Sequence, residues 1–167
     1  MKQAILAVGC QVALLAYHQV TTFVDFFPFN GARFYSRKER GVEMGVNMLL
    51  MGLAVAGTAL GIPVLLRYAC VYYFVLFGIE LVIWWVPYLF VPQGAWRRLY
   101  NGLLALGTSD FQGGDTLGRW LAVHQRIHAV TTTLLPARPG RIVPNLEHTL
   151  LHAATLVTAL VTLGAQP

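Results

Sequence analysis

Residues 42–86, VEMGVNMLLMGLAVAGTALGIPVLLRYACVYYFVLFGIELVIWWV, decide the architecture. Two apolar runs, 42–61 and 64–86, flank the short connector Gly61-Ile62-Pro63. At a rise of about 1.5 Å per residue, each is long enough to cross a hydrocarbon core of roughly 30 Å as a helix. Glycine and proline between them stop the helix and force an antiparallel hairpin. Two further runs of the same kind, 3–24 and 145–164, complete the count. The expected fold is all-α, an integral membrane four-helix bundle forming a single transmembrane domain over residues 1–167.

Composition agrees: 56% of the residues are hydrophobic and 11% charged, which describes a membrane protein with no room for a second soluble domain. The net charge of +5 would suggest nucleic acid in a soluble chain. Here the basic residues flank the apolar runs, so they set topology and imply no nucleic-acid partner. Arg33, Arg37, Lys38 and Arg40 crowd the first loop and six arginines from Arg97 to Arg141 fill the third, against Arg67 alone near the second. Both termini are therefore expected outside, with the first and third loops cytoplasmic. Trp84, Trp85, Tyr88, Trp96 and Tyr100 read as an aromatic belt at that cytoplasmic edge. Gly52, Ala56, Gly57 and Gly61 give the second span a small-residue face suited to a close neighbour, including a second copy in a homo-oligomer. Arg37-Lys38-Glu39-Arg40 reads as a solvated loop facing lipid headgroups.

The third loop carries its own pattern. Residues 95–106 alternate aromatic, basic and apolar side chains as an interfacial amphipathic helix does, and Gly113-Gly114-Asp115 breaks it. Over 117–134 a second helix is expected, with Leu117, Leu121, His124, His128 and Thr131 on one stripe turned toward the bundle.

Ionisable residues in a membrane are costly and persist where they pair, bind or move protons. All five histidines fall in one half of the protein. His18, Glu80 and His152 lie about 10 Å inside the cytoplasmic ends of their spans. Asp25, Glu43 and Asn47 lie nearer the edge, and His124 and His128 are brought over the top by the 117–134 helix. His124/His128 and His148/His152 are both His-x-x-x-His pairs, a spacing that puts two imidazoles on one helix face within reach of a metal.

A histidine taken alone is accounted for by a hydrogen bond linking helices. The set at one depth points to a metal site of His18, Glu80, His124, His128, His148 and His152. Iron or zinc suits such donors, and Glu80, Asp25 and Glu43 are candidate catalytic carboxylates. The expected function is a metal-dependent membrane enzyme, an oxidoreductase before a hydrolase, acting on a lipophilic small-molecule substrate that arrives through the membrane lipid. Two other readings use the same residues. His18 and His152 could be the axial pair of a haem in an electron-transfer protein. Glu80 and His18 could form a titrating pair in a non-catalytic bundle that binds or moves a proton or small solute.

The His-x-x-x-His spacing resembles that of membrane di-iron desaturases and hydroxylases, whose additional His-x-x-His-His boxes are absent here. Cys10 and Cys70 lie at similar depth, either as inert buried thiols or as a bridge on the oxidising side.

Overall fold

A computed structural model describes residues 2–107 and 115–166, with the side chains of residues 105–107 excepted. The Gly113-Gly114 break lies outside the described residues. The chain is helical, in the order α1 (Lys2–Phe23), a 3₁₀ turn (Ala32–Phe34), α2 (Arg37–Leu60), α3 (Pro63–Glu80), a π-helical turn (Leu81–Trp85), α4 (Val86–Leu89), α5 (Gly94–Gly107), α6 (Thr116–Ile127) and α7 (Leu146–Gly164). Four of these are long and apolar enough to cross a membrane: α1, α2, the continuous Pro63–Leu89 rod and α7. They close a ring in which α1 packs on α2 and α7, and α3 packs on the same two helices.

The radial pattern is inverted relative to a water-soluble protein. Leu49, Leu60, Val64 and Val71 are exposed, while Gln11, Thr155, Thr158 and Thr162 are buried between the helices. Apolar outward faces suit lipid, and the inward polar groups bond one another.

The turn between α2 and α3 is as tight as its sequence requires. Gly61 caps α2 in the left-handed region at φ 64°, and Pro63 opens α3. Of the small residues on α2, Gly57 is the one that needs its size: a Cβ there would lie 2.2 Å from Leu65 Cβ and 3.1 Å from its carbonyl carbon. Gly52 has nothing within 4 Å of that position. Gly57→Ala is therefore expected to cost about 1–3 kcal/mol through overpacking, with Gly52→Ala near neutral. Thermal unfolding of the detergent-solubilised variants checks this, and equal midpoints would refute it.

Several boundaries differ from expectation for local reasons. Arg37-Lys38-Glu39-Arg40 is the first turn of α2, not a loop. Ser36 accepts from the Glu39 amide and Glu39 returns the bond to the Ser36 amide, a capping box written in the sequence as Ser36-x-x-Glu39. The helix expected over 117–134 stops at Ile127, seven residues early. Ala129 closes back on the His124 carbonyl, and the Thr132 amide is drawn away to the Pro28 carbonyl.

The third span runs past residue 86 to Leu89 through its π turn, where the Val86 amide reaches back to Leu81. That turn is also where α5 and α6 attach. Tyr100 Oη donates to the Val82 carbonyl at 2.6 Å and Trp120 Nε1 to the Ile83 carbonyl at 3.0 Å. Arg141, expected as a loop charge, donates to the carbonyls of Tyr88 and Leu89 and so caps the end of the rod. Cys10 and Cys70 are free and half-buried.

Candidate functional site

Opposite the α2–α3 hairpin, the ends of α1, α2, α6 and α7 border a partly open polar cavity of about 60 Å³. Its walls include Glu43, Glu147, His128, His148 and Tyr35, with Arg40 and the hydroxyls of Thr21 and Thr22. Two asparagines hold it in shape, each with a fully buried side chain.

Asn30 ties off α1. Its amide donates to the carbonyls of Thr21 (2.7 Å) and Val24 (2.8 Å), and its oxygen accepts from the Phe26 amide at 2.9 Å. Helix ends leave carbonyls without partners, and here a side chain eight residues beyond the last wall residue of α1 supplies two donors. Arg40 adds a third, to the Phe23 carbonyl. The segment then passes Gly31, where a Cβ would meet Ile127 at 2.8 Å, and delivers Ala32 and Tyr35 to the cavity.

Asn145 opens α7. Its oxygen accepts from the His148 amide at 2.9 Å and lies 2.7 Å from His148 Nδ1, while its amide donates to Thr131 Oγ1. The oxygen can only accept, so His148 carries a proton on Nδ1 and, when neutral, leaves the lone pair of Nε2 free.

The other imidazoles are committed differently. Trp85 Nε1 donates to His152 Nδ1 at 2.9 Å, which places the proton of that ring on Nε2. His124 Nε2 faces both the amide and the carbonyl of Val143, tying α6 to the strap before α7. His128 Nε2 lies 3.1 Å from the Tyr35 hydroxyl. His18 Nε2 lies 3.7 Å from Glu43 Oε1 and 3.5 Å from Asn47 Nδ2.

Expectation and structure can now be compared residue by residue. Four histidines do meet. Trp84 sits among them, with ring centroids 4.0 Å from His148, 4.8 Å from His128, 6.1 Å from His124 and 6.2 Å from His152. Trp84, Tyr88 and Tyr100 are buried and form no exposed belt, and Trp84 lies on the π turn. His18 is not paired with Glu80: it faces Glu43, and Glu80 instead accepts a bond from Thr155 Oγ1 at 2.9 Å. His18 and His152 are likewise engaged separately, with Glu43 and with Trp85.

Asp25 lies at the surface, bridged to Arg33 at 2.9 Å, and that guanidinium holds its carboxyl below the usual range. It is not a wall of the cavity. Among the described residues no three His, Cys, Asp or Glu side chains are arranged in this conformation to hold a metal ion. Residues that sequence reasoning passed over are Tyr35, which carried no signal, and Glu147, whose signal was its place beside His148.

Outside the spans, burial pushes His128 down to about 3, and the neighbouring His124 adds to the shift. A folded-state value below the unfolded one means that the unfolded chain binds the extra proton. Stability is thus full above about pH 6.5 and falls as pH drops toward 3. Between pH 6.5 and 5 the His128 contribution amounts to about 2 kcal/mol. Unfolding midpoints taken across that window should fall with acid, and the slope should flatten in His128→Asn. An equal slope in the variant would exclude His128 as the cause.

No protein-family model, curated protein or solved structure matches this chain.

Proposed function

We propose that this protein is an integral membrane enzyme, a four-helix bundle with α5 and α6 lying at the membrane interface, whose cavity takes a divalent metal ion. The observation that carries the reading is the composition of one small, partly open space: two carboxylates, the half-exposed Glu43 and the buried Glu147, share a cavity of about 60 Å³ with His128 and His148. Two carboxylates on one site resist ionising together unless a cation or a shared proton lies between them. Arg40 also lines the cavity, and a bound cation would meet the charge of the two carboxylates.

His148 is the ligand prepared in advance. Its Nδ1–H is held by Asn145, the outer partner that orients a metal-bound imidazole, and its Nε2 is free. Glu43, Glu147 and His18 would complete the set after side-chain rotation, with His128 and Tyr35 bordering the open position. Glu80, His124 and His152 are left out, because none of them lines the cavity or pairs with a carboxylate that does, whereas His18 reaches Glu43.

Iron or zinc suits imidazole with carboxylate, and an open position supports redox chemistry or hydrolysis. The substrate is lipophilic and enters from the bilayer. The excess of arginine at this end supports a cytoplasmic cavity with both termini outside.

Elemental analysis of detergent-purified protein is the test. Stoichiometric iron or zinc, lost in a Glu147→Gln, His148→Ala double variant that still folds, is the expected result. Protein purified from metal-replete cells that holds no metal, or a double variant that keeps it, would overturn the assignment.

A further inference from the structure

Away from the cavity, further polar groups are buried between the helices, with Tyr73 set among the apolar side chains of Leu14, Met51, Ala54, Ala69 and Ala159. Among the described residues four side-chain atoms there are buried without a protein partner: His152 Nε2, Glu80 Oε2, Tyr73 Oη and Gln11 Oε1. Their residues are 2%, 8%, 0% and 0% exposed, so lipid and bulk water are both excluded. Between them α7 turns Thr155, Thr158 and Thr162 inward, all buried. From His152 to Thr162 this face covers about 15 Å of depth at 1.5 Å per residue, and Glu147 and His148 extend it to the cavity.

The hydrogen-bond roles of these atoms alternate. Trp85 fixes the proton of His152 on Nε2, making it a donor. Glu80 Oε1 is held by Thr155 and Oε2 is left as an acceptor. Tyr73 Oη can donate and accept. Gln11 gives its amide hydrogens to Thr58 and Thr162, each at 3.0 Å, leaving its oxygen as an acceptor near the hairpin end.

Successive members are too far apart to bond directly: Tyr73 and Glu80 are seven residues apart on one helix, about 10 Å. Leaving one such group unsatisfied costs about 1–3 kcal/mol, so four would consume much of a typical folding free energy. A water buried beside such a group, making about three bonds, would offset the cost.

We infer that His152, Glu80, Tyr73 and Gln11, joined by water along the threonine face of α7, form a proton route between the cavity and the hairpin end. Glu80 is the carrier. Its carboxylate takes a proton from the water on one side and releases it to the water on the other, returning to its starting state with one proton moved. The route does not depend on a metal in the cavity.

The test uses the whole protein, treated with chelator, in liposomes that enclose a pH-sensitive dye, with a potassium diffusion potential driving protons inward. Flux above that of protein-free liposomes is expected. It should fall to that background in Glu80→Gln, which keeps the shape of the carboxylate and the Thr155 contact, and slow in Tyr73→Phe. A lipophilic carbodiimide, which reacts with protonated carboxyls inside bilayers, should modify Glu80 in the wild-type protein and abolish the flux, with the adduct located by mass spectrometry. Wild-type flux equal to background, flux unchanged in a folded Glu80→Gln protein, or flux that persists after Glu80 is modified would each overturn the route. None of these results bears on metal binding.

Discussion

Asn30→Ala is expected to destabilise the protein by about 3 kcal/mol, because one buried side chain serves three backbone groups at once. The alanine variant leaves the carbonyls of Thr21 and Val24 without their donor and the Phe26 amide without its acceptor. Water can restore part of this at the edge, but Asn30 is fully buried and the Thr21 contact lies inside. The effect also reaches the cavity, since Thr21 and Thr22 on one side of the cap and Ala32 and Tyr35 on the other are walls of it.

A second substitution separates hydrogen bonding from packing. Asn30→Asp keeps the volume and the acceptor for Phe26 but sets a carboxylate against two carbonyl oxygens. It should destabilise at least as much as alanine. Unfolding midpoints of the two variants decide the matter, and an Asn30→Asp protein as stable as wild type would show that the amide donors do not hold α1.

Asn145→Ala should cost about 2–3 kcal/mol and weaken metal binding by about 10–100-fold. The stability loss has two sources. The first turn of α7 loses its cap on the His148 amide, and the buried Thr131 hydroxyl loses the amide that bonds it. The binding loss arises because His148 Nδ1 no longer has an acceptor at 2.7 Å to fix its tautomer and ring plane.

The aspartate variant parts the two effects. Asn145→Asp retains the cap and an acceptor for Nδ1 but cannot donate to Thr131. Its stability should fall while zinc affinity, measured by competition with a chromophoric chelator, stays at the wild-type level or rises. If Asn145→Ala bound zinc as tightly as wild type, His148 would not be a ligand oriented by this contact.

The long helices were legible because lipid imposes one requirement throughout, that backbone groups be satisfied within the segment while side chains stay apolar. Runs such as 42–61 and 64–86 meet it without reference to the rest of the chain, and Gly61 and Pro63 mark the turn by their own backbone preferences. The same local logic was present in Ser36-x-x-Glu39 and would have started α2 at Arg37. The end of α6 was not readable in this way. The apolar stripe continues past Ile127, but the Thr132 amide is taken by Pro28, a residue more than a hundred positions earlier.

The imidazoles show the same division. Counting residues along the spans put His18, His148 and His152 toward one end and the third-loop helix was expected to add His124 and His128; four of the five gather around Trp84, while His18 faces Glu43. Which of them are free follows from groups that only folding supplies. Trp85 takes one ring nitrogen of His152, Val143 occupies His124, and Asn145 leaves Nε2 of His148 open. Glu80, expected beside His18, bonds Thr155 because the facing side of α7 is threonine-rich at that level.

By itself, then, the sequence determined the long apolar helices and their hairpin connection, since hydropathy and helix pitch act along the chain. Tertiary structure alone decided that Glu43 and Glu147 share one cavity, that Trp84 turns inward on a π turn, and which nitrogen of each imidazole is free. Those outcomes depend on hydrogen-bond partners that lie far apart in the chain and meet only when the helices pack.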